Sequence, residues 1–236
     1  MRIRRIAGAT SAAVLGACGA VMGLGLPTAT AQPPAPGCPD VEVVFARGTG
    51  EAAGVGGVGQ GFVDAVRAQA APRSVGVYAV NYPAGNNFEQ REVFASTVID
   101  GVRDAGNHLQ RMSVDCPNTK LVLGGFSQGA VVSGFATSAT APEEHSAIAP
   151  APLSPEVAQH VSAVVLFGTP SGPFLARYGA PAITIGPLFA DKTLQLCANG
   201  DTICNGAPDG GPGVAHALYG INGMVNEGAA YAVGRL

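Results

Sequence analysis

The chain has 236 residues, of which 47% are hydrophobic and only 12% charged, with 34 glycines, 18 prolines and no tryptophan. That length fits one domain able to bury a sizeable core, and the composition excludes intrinsic disorder, which requires low hydrophobicity and high charge. Acidic residues outnumber basic ones, 16 to 13, so no basic surface is available for nucleic acid or an anionic membrane.

At the N-terminus, Arg2, Arg4 and Arg5 head an apolar stretch from Ile6 to Leu26 that ends in Ala29-Thr30-Ala31. This is the pattern of a secretory signal peptide cleaved after Ala31, leaving 32–236 as a single catalytic domain. Two rivals exist: an uncleaved membrane anchor, since the stretch is about long enough to span a bilayer, and lipidation at Cys18 in Leu15-Gly16-Ala17-Cys18. The glycine and alanine content favours cleavage over an anchor, and the apolar sequence that follows Cys18 argues against a lipoprotein tether. Export places the protein outside the cell, free or associated with the cell wall. It also removes three arginines, so the mature net charge becomes −6.

Beyond a proline-rich leader at 32–37, Val41–Ala46 reads as a buried strand that ends in the turn Arg47-Gly48-Thr49-Gly50. Helical spacing follows over Gly59–Ala70, and a β-branched, aromatic strand over Val75–Tyr82 is stopped by Pro83. Between Phe88 and Met112, apolar residues at 94, 98, 102, 105, 109 and 112 mark one long amphipathic helix. Lys120–Phe126 is a third strand, Gly129–Thr140 a small-residue helix, Val161–Phe167 a fourth strand and Thr193–Leu196 a fifth. The stretches 141–155 and 168–192 read as loops, and a last helix covers Met224–Ala232. Strands that are continuous apolar runs alternating with helices imply an α/β fold, with a parallel sheet covered on both faces.

Four cysteines remain after export: Cys38, Cys116, Cys197 and Cys204. Four cysteines allow three pairings. The short spacing of Cys197 and Cys204 suits a tight loop, which leaves Cys38 for Cys116. Free buried thiols and a metal site are the alternatives; no histidine–cysteine cluster supports a metal, and export favours disulfides.

The chemistry concentrates in Gly125-Phe126-Ser127-Gln128-Gly129, a Gly-x-Ser-x-Gly set between a strand and a helix. A serine there sits on a strained turn at the carboxyl end of the sheet, and the Gln128 N–H lies at a helix start suited to an oxyanion. Such a serine needs a base and an orienting acid. Of the mature histidines, His108 belongs to the long helix and is expected to face solvent; His145 and His160 read as surface residues. His216, on a late loop after Gly210-Gly-Pro-Gly213, has the right place in the order serine, acid, histidine. Three aspartates lie between: Asp191 at the wrong end of the fifth strand, Asp209 in an unclamped Gly/Pro run, and Asp201 within Cys197-Ala-Asn-Gly-Asp-Thr-Ile-Cys204. A disulfide across that loop would hold Asp201, although a turn or calcium role is the alternative. Thr49, at the same end of the sheet as Ser127, is a second oxyanion donor or simply a residue of a strand-end turn.

Taken together, Phe45-Ala-Arg-Gly-Thr49, Val80-Asn-Tyr-Pro-Ala84, Gly124-Gly-Phe-Ser-Gln-Gly-Ala130, Cys197-x3-Asp201-x2-Cys204 and His216 resemble the cutinase family, most of all its cutinase-like members from mycobacteria and their relatives. The resemblance runs from Cys38 to the C-terminus. It implies an α/β-hydrolase-like three-layer sandwich with five central parallel strands and no true lid. It also implies Ser127, Asp201 and His216 as triad, Thr49 and Gln128 as oxyanion donors, and disulfides Cys38–Cys116 and Cys197–Cys204. Many fungal members carry serine at the position of Thr49 and tyrosine at that of Phe126. The implied activity is hydrolysis of short- to medium-chain fatty acyl esters by a monomer without metal or cofactor, in peripheral contact with lipid or the cell envelope. An acetylxylan-type esterase and a non-catalytic surface protein on the same scaffold are the alternatives. Phe174, Leu175, Leu188, Phe189 and Val214 are candidates for an acyl groove or, equally, for core.

Overall fold

The computed structural model of the protein describes residues 37–143 and 146–236. The expected signal peptide, Cys18 and His145 lie outside the described residues.

Five strands, β1 (Val41–Ala46), β2 (Val75–Ala79), β3 (Lys120–Phe126), β4 (Val161–Phe167) and β5 (Thr193–Leu196), form one sheet in the order β2-β1-β3-β4-β5. Every neighbouring pair is parallel. Around it run α1 (Gly56–Ala70), α2 (Arg91–Asp115), α3 (Gln128–Ala136), α4 (Pro155–His160), α5 (Gly172–Arg177), α6 (Val214–Ala217) and α7 (Met224–Val233). No described helix is long and apolar enough to cross a membrane.

The period of two along β1 divides the core. Val41, Val43 and Phe45 point to the α1–α7 side, where they meet Phe62, Val66 and Ala229. Val44 and Ala46 point to the α2–α3 side, against Val98, Val102 and Val132. Both faces are therefore apolar, which is why the strands read as unbroken hydrophobic runs. Disulfides Cys38–Cys116 and Cys197–Cys204 are both formed; the first ties the chain ahead of β1 to the end of α2.

Several expectations require correction. The stretch 168–192 is not all loop, because it holds α5 and a 3-10 turn at Ala190–Lys192. Helix α4 closes what was read as a loop up to 155, and α6 lies where a flexible loop was expected. Ser154 and Ser171 cap α4 and α5 by accepting the N–H of Val157 and Phe174, each at 3.4 Å, with a proline in the first turn of both helices. These helices are only six residues long, too short for a periodicity signal. The second strand stops at Ala79 rather than Tyr82, and α3 ends at Ala136, four residues early. His108 does not face solvent. Its ring stacks on Tyr78 with centroids 3.5 Å apart, and its Nε2 lies 2.7 Å from Glu42 Oε2. The partner is a carboxylate on β1, 66 residues away, which no local pattern reveals.

Candidate active site

In the order β2-β1-β3-β4-β5 the chain leaves β1 toward one edge of the sheet and later returns to β1's other side as β3. The carboxyl ends of β1 and β3 thus flank the point where strand order reverses, the place where open α/β sheets form crevices. Ala46, the last residue of β1, pairs with Gly125 of β3. The turn with Thr49 and the turn with Ser127 consequently emerge side by side.

Ser127 adopts φ 53° and ψ −117°, outside the usual conformations of a non-glycine residue. The turn is tight enough that a Cβ on Gly125 would strike the Gly129 carbonyl, and one on Gly129 the Ala46 carbonyl. Both glycines of the motif are thereby required by backbone packing. The turn leaves Ser127 half-buried.

Across the crevice, His216 Nε2 lies 2.9 Å from Ser127 Oγ, and His216 Nδ1 lies 2.8 Å from Asp201 Oδ2. Asp201 is 1% exposed and His216 8%. Phe126 stacks against the imidazole at 5.0 Å between centroids. Gly168 also borders the ring: a Cβ there would stand 3.0 Å from His216 Cε1. Asp201 is fixed by more than the disulfide around it: Oδ1 accepts the Ile203 N–H at 3.0 Å, and Oδ2 accepts the Tyr219 hydroxyl at 2.8 Å. A serine bonded to an imidazole whose other nitrogen rests on a buried carboxylate is the arrangement that makes a hydroxyl nucleophilic.

Thr49 and Gln128 lie beside Ser127 on their respective turns. The neighbours of Thr49 are both engaged: the Gly48 N–H donates to Glu51 Oε2 at 2.6 Å and the Gly50 N–H to the Ala84 carbonyl at 2.7 Å. Among the described residues, the N–H groups of Thr49 and Gln128 donate to no backbone carbonyl. The Gln128 side chain turns inward, its Nε2 donating to the Gly85 carbonyl at 3.2 Å.

The sequence reading missed the support of the Thr49 turn. The Glu51 carboxylate accepts both the Gly48 N–H and, at 2.7 Å, the Gly57 N–H, and so ties the turn to the start of α1. Buried Arg47 donates to the carbonyls of Glu51 at 2.9 Å and Tyr82 at 2.6 Å, while the Tyr82 hydroxyl donates back to the Arg47 carbonyl. Burial pushes the Tyr82 phenol well above its ordinary pKa, so it remains a donor. Glu51 closes the quoted Arg-Gly-Thr-Gly run and was visible as a charge there; the Tyr82 contact has no local signal.

Of the five acyl-groove candidates, Phe174, Leu175 and Phe189 are buried core, whereas Leu188 and Val214 are exposed. Leu175 also lines a cavity of about 580 Å³ between α2, α3 and the chain around 150 and 180, together with Phe94, Val102, Val131 and Phe135. That cavity contains none of Ser127, Asp201 and His216. Among the described residues Cys197, Asp201 and Cys204 cluster as metal-ligating types, but the two sulfurs are bonded to each other and supply no thiolate.

Residues 37–236 match the profile of the Cutinase family. The chain is 58% identical to the probable carboxylesterase Culp7 of Mycobacterium tuberculosis over 169 residues, 71% of this chain and 88% of that protein. Among solved structures it resembles Trichoderma reesei cutinase in complex with a C11Y4 phosphonate inhibitor, with a TM-score of 0.61, 33% identity, and coverage of 84% of this chain and 76% of that one. The catalytic core domain of acetyl xylan esterase from Trichoderma reesei aligns with a TM-score of 0.67 at 25% identity, covering 84% of this chain and all of the other. With a family match that runs from residue 37 to the last residue and a carboxylesterase relative identical at more than half of its aligned positions, the chain belongs to the cutinase family and is a serine ester hydrolase.

Proposed function

We propose that Ser127 is the nucleophile, His216 the general base and Asp201 the orienting carboxylate of an exported esterase acting on short- to medium-chain fatty acyl esters. The observation that carries this reading is the unbroken relay from Ser127 Oγ through His216 to Asp201, with bonds of 2.9 and 2.8 Å. Ser127 Oγ attacks the ester carbonyl as His216 Nε2 takes its proton. The N–H groups of Thr49 and Gln128 receive the oxyanion; loss of one such donor typically costs about 10²–10³ in rate. The C–O bond to the alcohol then breaks as His216 returns the proton to the leaving oxygen. Water, activated by the same imidazole, releases the acid from Ser127.

An apolar rim supports the substrate class and contact with lipid. Val214, Leu218 and Ile221 are 76%, 36% and 82% exposed, and all lie within five residues of His216. Exposed apolar residues grouped beside a catalytic group mark a surface for apolar ligands. The two disulfides support export, because such bonds persist in oxidising compartments. The likeness to acetyl xylan esterase favours one rival, removal of acetyl groups from a polysaccharide.

The test is hydrolysis of p-nitrophenyl esters from acetate to palmitate by residues 32–236, with Ser127→Ala in parallel and fluorophosphonate labelling of both. Activity highest at butyrate to octanoate, and lost together with labelling in Ser127→Ala, is expected. Activity confined to acetate would shift the reading to acetylated sugars, and no labelling of folded wild type would remove the catalytic assignment altogether.

A further inference from the structure

His216 and Tyr219 are three residues apart, so one turn of chain brings both against Asp201, and both bond the same oxygen, Oδ2, at 2.8 Å. Tyr219 is fully buried, packed against Phe126, Phe167 and the edge of His216. Its hydroxyl also accepts the Ala198 N–H at 2.8 Å. A phenol has a single proton. With the Ala198 N–H filling the acceptor side, that proton is directed at Asp201. Burial raises the phenol's pKa well above its ordinary value, and the hydrogen bond to Asp201 adds to the shift. The group is therefore a fixed donor across the working pH range.

We propose that Tyr219 is a positioning residue for the ester hydrolysis, acting through Asp201: it stabilises the buried carboxylate as an anion and fixes its rotation so that Oδ2 faces His216 Nδ1. The hydroxyl has a second consequence. By sharing the charge on Oδ2, it also governs how strongly Asp201 holds the imidazole. The inference rests on the triad assignment above.

Tyr219→Phe keeps the ring and deletes the donor to Asp201 together with the acceptor of the Ala198 N–H. Loss of a hydrogen bond to a charged group predicts a fall in kcat/KM of about 10- to 100-fold, carried by kcat with KM little changed. The acid limb of the kcat/KM profile should move to higher pH, since an unshared carboxylate holds the imidazolium more tightly. Replacement of Tyr219 by 3-fluorotyrosine preserves every contact and makes the phenol a stronger donor, so it should move the limb to lower pH, whether or not the phenylalanine variant folds. A fluorinated enzyme whose acid limb coincides with that of wild type would overturn the proposal, as would a Tyr219→Phe enzyme with kcat/KM within twofold of wild type and only a lower Tm. Fluorophosphonate labelling at Ser127 in each variant keeps this outcome separate from failure of the triad itself.

Discussion

Asp201→Asn isolates the charge of the buried carboxylate from its geometry. Two donors, His216 Nδ1–H and the Tyr219 hydroxyl, converge on Oδ2, while one donor, the Ile203 N–H, meets Oδ1. An amide must present its oxygen to one side and its NH2 to the other. With oxygen toward His216 and Tyr219, one donor–donor conflict results, at the Ile203 N–H; with NH2 there, the Tyr219 hydroxyl conflicts, and so does His216 unless its proton moves to Nε2. Each buried conflict costs about 1–3 kcal/mol, and in the first rotamer the His216 tautomer is retained. What disappears is the negative charge beside the imidazolium that forms in the transition state. Two unit charges about 4 Å apart in a medium of effective dielectric constant near 20 interact by about 4 kcal/mol, which corresponds to about a 10³-fold loss in kcat. The assay is p-nitrophenyl butyrate hydrolysis at saturating substrate, with ¹⁵N NMR of His216 to report which nitrogen carries the proton. A loss below tenfold, or a histidine protonated at Nε2, would refute this account.

The two disulfides should separate in their effects. Cys38–Cys116 closes 78 residues, so the double alanine variant should lose about 4.5 kcal/mol of stability on the chain-entropy scale while keeping its kcat at 25 °C. Cys197–Cys204 closes only seven residues and is worth about 2.4 kcal/mol on the same scale, but its removal should lower kcat by freeing Asp201; denaturant melts paired with ester hydrolysis distinguish the two patterns. Glu51→Gln keeps at most one of the two bonds that the carboxylate accepts at the Thr49 turn and sets an amide NH2 against the other N–H. A fall in kcat of about 10- to 100-fold with little change in KM is expected, and a KM effect alone would show that the turn serves binding instead.

Much of this molecule is legible in order along the chain. The parallel sheet follows from unbroken apolar strands, because a strand buried on both faces has no polar side to show. The strained turn at Ser127 follows from glycines flanking a serine between a strand and a helix. Asp201 stands out because cysteines bracket it, and His216 because it follows the acid late in the chain, after a Gly/Pro run. Short helices escaped: α4 and α5 carry Ser-capped, proline-containing starts, yet each is too brief for periodicity to outweigh a Pro/Ala/Gly-rich composition.

Contacts between distant segments are what residue order alone leaves open. His108 occupies a sequence position that reads as exposed, but α2 packs across one face of the sheet so that its ring meets Tyr78 of β2 and Glu42 of β1. Arg47 and Tyr82 acquire their role only when the chain after β2 returns to the turn after β1. Tyr219 is one more aromatic in the sequence, and in the fold it is the second donor on Asp201. Burial pattern and backbone strain are properties of neighbouring residues and therefore appear in a linear string. Hydrogen bonds between side chains tens of residues apart depend on how helices and loops pack across the sheet, and that is decided only when the tertiary structure closes.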